Sequence, residues 1–436
     1  MGQGNGRIVV DMLDIRLIRE KPKEAEENIR RRNDPGKLRL LHELIQADKE
    51  MREAIATVER LKHERNVVSA EIARLGKGKA ADARIERMRA IKDEIAGLEK
   101  KRQGLEGKTK EMLMRLPNML HESVPYGKDD SENKVVRTWG KPPKFSFEPK
   151  GHFDILKSLD LVDDERAARA AGHGFFYYKG GLARLDYGLM CYTMDFLMKR
   201  GYTLIEPPFM LHREPYEGVT DLASFHDVLY KVEGDDLYLI ATSEHPMAAM
   251  FMGEVLESRQ LPIKLVGVSP CFRKEVGAHG KYTKGLFRMH QFNKIEQFIF
   301  CLPEDSWKFH EELQKNAEDL YQSLGLPYRV VNVCTGDIGD IAAKKYDTEL
   351  WMADGNYREA GSNSNCTDYQ ARRLGIRYRD KEGSPVAGFV HTLNNTAIAT
   401  SRTMLAILEV NQRKDGTVKI PEALWPCMGG MKVLGK

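Results

Sequence analysis

No run of about 18 apolar residues occurs anywhere in this 436-residue chain, so nothing in it reads as a membrane span. The amino terminus has no apolar signal-peptide core, and position 6, where a myristoylation site wants Ser or Thr, is Gly6. These absences predict a cytoplasmic protein with no membrane partner. Cysteine is sparse and scattered: Cys191, Cys271, Cys301, Cys334, Cys366 and Cys427 form no Cys-x-x-Cys and no Cys/His zinc spacing. That pattern predicts a reducing compartment and speaks against a structural zinc cluster. Both glycine-rich phosphate signatures, Gly-x-x-x-x-Gly-Lys-Ser/Thr and Gly-x-Gly-x-x-Gly, are missing. Any phosphate must therefore be held by side chains rather than by a backbone cradle. The net charge is only +4, so contact with nucleic acid would need a local patch.

What is present begins with a long charged segment. Asp34-Pro35-Gly36 marks a turn, and beyond it Leu40, Leu44, Ala47, Met51, Ala54, Val58, Leu61, Val68, Ile72 and Leu75 follow alternating three- and four-residue steps. Gly76-Lys77-Gly78-Lys79 interrupts this seam. A second runs through Met88, Ile91, Ile95, Leu98, Leu105, Met112 and Leu116 and stops at Pro117. Two such helices around a glycine turn predict an antiparallel coiled-coil arm on the order of 55 Å long. Gly97, Gly104 and Gly107 should weaken its base. Arg74, Lys77, Lys79, Arg84, Arg87 and Arg89 gather near the turn. They suit RNA phosphates, and they equally suit the solvated positions of any coiled coil.

The connector 121–180 is punctuated by Pro125, Pro142, Pro143 and Pro149. A helix over residues 182–199 and a strand ending at Pro207-Pro208 follow. Residues 237–241 form an apolar run that leads into Thr242-Ser243-Glu244 and a helix over 247–256. A hydroxyl and a carboxylate at a strand end can receive an ammonium group, or can cap that helix; the residues leave both readings open. Two β-patterned runs meet at Phe272-Arg273-Lys274-Glu275 and Arg288-Met289-His290-Gln291-Phe292, joined by a Gly- and Lys-rich loop. They predict an antiparallel hairpin. Alternation gives it a polar face with Arg273, Glu275, Arg288, His290, Phe292 and Glu296, a wall suited to an anionic, ring-bearing ligand.

Phe-Arg-x-Glu, a loop and Arg-x-His-Gln-Phe resemble motif 2 of the class II aminoacyl-tRNA synthetases. The helix and strand ending at Pro208 are similar to motif 1, and Thr392 to Arg402 with the helix after it to motif 3. His290-Gln291-Phe292-x-Lys294-Ile295-Glu296-Gln297, Thr242-Ser243-Glu244 and Ser364-Asn365-Cys366-Thr367-Asp368-Tyr369-Gln370-Ala371-Arg372-Arg373 resemble seryl-tRNA synthetase of the non-zinc type. The resemblance spans nearly the whole chain. It implies an α+β fold: a class II antiparallel β-sheet flanked by helices, with an N-terminal antiparallel α-helical coiled-coil arm. Residues 1–120 would be the tRNA-binding arm and residues 121–436 the catalytic domain.

The activity implied is ATP-dependent conversion of L-serine to seryl-adenylate, then transfer to the 3′ end of tRNA(Ser), with tRNA(Sec) left open as a second acceptor. Arg273, Arg402 and Glu359 would be catalytic. ATP would be held by Arg273, Lys274, Glu275, Arg288, Met289, Phe292, Glu359, Ala360, Gly361, Ser362 and Arg402. Serine would meet Thr242, Ser243, Glu244, Arg273, Glu296 and Thr396, and Glu359 with Ser362 would bind Mg2+. The motif 1 elements imply a homodimer. An inactive paralogue that only binds tRNA is the alternative, and it would have lost Arg or Glu at these positions; none is lost.

Overall fold

The computed structural model describes residues 14–75, 78–220, 228–274 and 285–435. The chain divides between Pro117 and Asn118 into two compact units.

The N-terminal unit is helical. Two short helices, α1 (Ile15–Glu20) and α2 (Pro22–Arg30), precede α3 (Pro35–Leu75) and α4 (Lys79–Arg115). At 1.5 Å per residue, α3 is about 60 Å long. Val58, Leu61 and Val68 of α3 pack on Ile91 and Ile95 of α4, flanked by Ile72, Met88 and Leu98. The seam begins one residue later than its spacing suggested, because Leu41, not Leu40, is fully buried. Gly97, Gly104 and Gly107 leave α4 unbroken; seam packing outweighs their low helix propensity. Of the basic residues near the turn, Arg84 is paired with Glu71 and Arg87 with Glu64, while Lys77 lies outside the described residues.

The C-terminal unit is built on an eight-stranded sheet: β1 (Lys134–Trp139), β2 (Thr203–Ile205), β3 (Ile263–Phe272), β4 (Gln291–Cys301), β5 (Tyr328–Asn332), β6 (Lys344–Trp351), β7 (Tyr357–Thr367) and β8 (His391–Ala399). Its order is β1-β5-β6-β7-β8-β4-β3-β2, antiparallel throughout except where β2 runs parallel to β3. Helices α5 (Gly180–Met198), α6 (Glu244–Ala249), α7 (Ser306–Ser323) and α8 (Thr400–Val410) surround it. One core joins Leu185, Leu189 and Leu197 of α5, Leu313 and Leu320 of α7 and Met404 to Leu408 of α8 to Ile295, Ile299, Leu393 and Ala397 of the strands.

Three elements depart from their expected form. The edge strand β1 lies inside the expected connector. The helix expected over 247–256 stops at Ala249: Gly253 takes a φ of +80°, and Val255–Glu257 is a strand. Helix α8 starts at Thr400, directly after β8, so Arg402 stands in its first turn rather than ahead of it.

Candidate active site

The hairpin of β3 and β4 forms one wall. Phe272 pairs with Gln291 and Gly267 with Glu296, and strand alternation turns Phe292, Lys294 and Glu296 to the same side. Next to it, β8 sets Thr396 opposite Glu296. Strand β7 contributes Glu359 to Ser362, the start of α6 brings Glu244, and α8 brings Arg402. All of these line one cavity of about 400 Å³, together with Thr242, Arg273, Phe287, Met289, Lys345 and Asn394.

Two of the cavity's carboxylates, Glu244 and Glu296, lie near each other. Glu296 is buried, its Oε2 2.5 Å from the Lys294 ammonium. The Thr396 hydroxyl donates to the same Oε2 at 3.2 Å and itself accepts from Lys294 at 3.3 Å. Glu244 has a different environment. The Gln370 amide donates to it at 3.1 Å, and Gln370 is fixed by the Thr392 hydroxyl at 2.7 Å. No ion pair reaches Glu244 among the described residues. Burial first, and the nearby Glu296 charge second, push its carboxyl up to about 7, against the pull of Lys294. His245 behind it accepts or donates at 2.7 Å with the Tyr216 hydroxyl; burial, then Lys294 and Arg273, lower its pKa to about 3, so it stays neutral. Thr242 lines the cavity, and its hydroxyl accepts from the Glu244 N–H at 3.2 Å, while the residue that precedes the helix as its N-cap is Ser243.

Two guanidiniums also face the cavity. Arg273 leaves the end of β3 with its Nε donating to the Ala241 carbonyl at 3.2 Å and its guanidinium 5.3 Å from the Phe292 ring centre. Arg402 lies over Phe287, 4.8 Å from the ring centre, and donates to the Glu359 carbonyl at 2.8 Å. Its guanidinium also stands 3.3 Å from the Glu359 carboxylate, which is half exposed. Desolvation works to raise Glu359, and the charges of Arg402, Lys345 and Arg273 outweigh it, so the carboxyl titrates below its ordinary value. The Ser362 hydroxyl reaches Glu359 at 3.4 Å. Across the strand pair from Ser362, Asp347 is buried, and its Oδ1 has no hydrogen-bond partner among the described residues.

Not every expected residue reaches the cavity. Arg288 does not line it: residues 285–290 form turns ahead of β4, and Arg288 borders a separate depression with Phe153, Asp164, His173 and Phe176. The alternation expected through Arg288 and His290 fails because His290 stacks on Phe175 and its N–H donates to Gly174. Lys274 is also off the cavity wall, its N–H bonded to Val228 and its ammonium 5.6 Å from the Tyr230 ring centre. Ser243 is fully buried behind the wall, donating to the Gly267 carbonyl at 3.3 Å. Glu275 lies outside the described residues. Lys294, Lys345, Asn394 and Asp347 had no role in the sequence reading; the alternation of β4, β6 and β8 was the signal that placed them on the same faces as Glu296, Ser362 and Thr396.

The fold and this cavity have counterparts among known proteins. The class II tRNA synthetase core domain (G, H, P, S and T) matches residues 229–411, and the seryl-tRNA synthetase N-terminal domain matches residues 12–120. Serine--tRNA ligase of Methanocella arvoryzae is 53% identical over 425 residues, 97% of this chain and 100% of that protein. The chain belongs to the seryl-tRNA synthetase family. Membership makes it an aminoacyl-tRNA synthetase, a serine–tRNA ligase on the class II fold. The crystal structure of seryl-tRNA synthetase from Pyrococcus horikoshii complexed with ATP superimposes with a TM-score of 0.93 at 45% identity, over 97% of this chain and 99% of that one. That of the cytoplasmic enzyme from Naegleria fowleri, in complex with AMP, gives 0.89 at 36% identity, over 98% and 99%. The family's ATP binding agrees with a cavity that two guanidiniums, Arg273 and Arg402, line. No helix among the described residues is long and apolar enough to cross a membrane.

Proposed function

We propose that this cavity condenses L-serine with ATP and that its carboxylates and guanidiniums divide the work. The observation that carries this reading is the pairing, in one cavity, of an uncompensated carboxylate at Glu244 with the guanidiniums of Arg273 and Arg402. Serine's ammonium fits against Glu244 and Thr242, and its hydroxyl against Glu296 and Thr396. Its carboxylate, drawn to Arg273, attacks the α-phosphorus in line as pyrophosphate leaves. Arg273 stabilises the charge that develops there, Arg402 holds the phosphate tail, and Phe292 supports the adenine. A site that hydrogen-bonds the hydroxyl rejects alanine by roughly four to five orders of magnitude.

Glu359 and Ser362, backed by the buried, unpartnered oxygen of Asp347, form an all-oxygen donor set that fits a hard cation. They would hold Mg2+, which when bound neutralises phosphate charge. The seryl group then passes to the 3′ end of tRNA(Ser), which the α3–α4 arm engages. The unit works as a homodimer in the cytoplasm; exposed Tyr187 and Met198 of α5 and Leu204 of β2 support that interface. Amino-acid-dependent pyrophosphate exchange with all twenty amino acids, without tRNA, tests the reading. Exchange with serine alone is expected. No exchange with any of them, in folded protein that still binds tRNA, would establish the inactive paralogue instead.

A further inference from the structure

Away from the cavity, α5 and the last segment of the chain bring together a second set of reactive side chains. Cys191 and Asp195 stand one turn apart on α5, and the chain beyond Glu422–Leu424 returns Cys427 against them. The two sulfurs are 2.8 Å apart, closer than non-bonded sulfurs settle and within about 0.8 Å of a disulfide's length. Both cysteines are free thiols. The segment lies close against α5 around this contact: a Cβ on Gly188 would stand 2.7 Å from the Met428 sulfur and 3.7 Å from the Cys427 carbonyl oxygen.

Access separates this pair from the rest. Cys271, Cys301, Cys334 and Cys366 are buried, whereas Cys191 and Cys427 are half-buried beside a depression of about 540 Å³ lined by Tyr192, Phe196 and Lys199. Burial first, then the hydrogen bond and charge of the adjacent Cys191, push the Cys427 thiol up to about 12. The Asp195 carboxylate lies within 4.8 Å of both sulfurs, which also brings a soft cation to mind. Tetrahedral zinc holds its sulfurs about 3.8 Å apart, so binding it would drive this pair apart rather than complete its approach.

We propose that Cys191 and Cys427 are an oxidisable dithiol that closes into an intramolecular disulfide when the chain meets a small-molecule disulfide, tying the C-terminal segment to α5. One thiol, as thiolate, attacks the small disulfide, forms a mixed disulfide and expels one thiolate. The second thiol attacks the protein sulfur of that mixed disulfide and expels the other. Two electrons pass from the protein to the small molecule, and the two protons lost by the cysteines end on the two released thiols.

The test is to titrate the full-length protein with oxidised glutathione, alkylate the remaining thiols and map peptides by mass. The expected result is a cross-linked pair of peptides containing Cys191 and Cys427, two fewer alkylatable thiols per chain and reversal by dithiothreitol. The oxidised protein should melt higher by roughly 2–4 °C. Cys191→Ser and Cys427→Ser should each abolish the cross-link and the shift while leaving serine-dependent exchange unchanged. A stable glutathione adduct on either cysteine, a disulfide between two chains or an unchanged thiol count would each overturn the proposal. Protection of both thiols by Zn2+ alone, with no cross-link, would overturn it in favour of a metal site.

Discussion

Serine affinity should depend on pH through Glu244. Its carboxyl titrates at about 7, so it is mostly ionised at pH 8 and mostly protonated at pH 6. A protonated carboxyl attracts an ammonium group poorly, and binding through the ionised form scales the apparent dissociation constant by one plus the ratio of protonated to ionised carboxyl. That factor is about 1.1 at pH 8 and about 11 at pH 6, a loss of roughly tenfold in affinity across a window where serine's ammonium remains charged. The stability side has the opposite sign from an ordinary carboxylate. The unfolded chain ionises near 4.5 and the folded one near 7, so the folded state holds its proton longer. The fold therefore loses about 3 kcal/mol as pH rises from 4.5 to 7, and no more above it. Bound serine offsets that loss, and should raise the melting temperature more at pH 8 than at pH 6. Calorimetric titration with serine between pH 6 and 8, on the native protein and on Glu244→Gln, measures the effect. Native affinity that is flat with pH, or a Glu244→Gln variant retaining the same slope, would refute the assignment of Glu244 as the ammonium's partner.

Other substitutions probe the rest of the cavity and the arm. Glu296→Ala leaves the buried Lys294 ammonium without its carboxylate. It should cost about 3–5 kcal/mol in denaturant unfolding and collapse serine-dependent exchange while the ATP KM changes little. Gly361→Ala would place a Cβ 2.8 Å from the Thr396 Cβ and 3.1 Å from its carbonyl oxygen. It should cost about 1–3 kcal/mol and raise the serine KM, since Thr396 must move off Glu296. In the arm, Gly97, Gly104 and Gly107 are exposed in α4 with nothing within 4 Å of an added Cβ. Each Gly→Ala change should stabilise the helical transition followed by circular dichroism by about 0.5–1 kcal/mol.

The arm, the hairpin and most cavity residues were legible because each lies in a contiguous run whose period declares its form. The heptad steps of α3 and α4 need no tertiary information, and β4 carries Phe292, Lys294 and Glu296 at strict alternation. What escaped depends on contacts between distant segments. Arg288 was expected on the wall, but residues 285–290 form turns, and His290 at their end is held by Gly174 and Phe175, more than a hundred positions earlier. The helix after Glu244 was read too long because Gly253 breaks it, its N–H donated to the Leu374 carbonyl. Strand β1 hid among prolines, although Val135, Val136 and Trp139 are strand formers; its pairing with β5 decides its form. Lys294 was visible as a residue and invisible as a partner, since only the fold brings Thr396 into reach of both it and Glu296.

That trio has a bearing on how this enzyme's amino-acid choice can drift over generations. A mutation that alters Glu296 alone strands a buried cation, and one that alters Lys294 alone strands a buried anion, so each first step is punished before any new substrate is gained. Only a simultaneous change of both, with apolar replacements of similar volume, would keep the fold intact while removing the carboxylate proposed to recognise serine's hydroxyl. Under the role proposed for Glu296, specificity sits in an epistatic valley, and a ligase whose errors would be written into every protein of its cell is guarded against one-step change by the packing of three side chains.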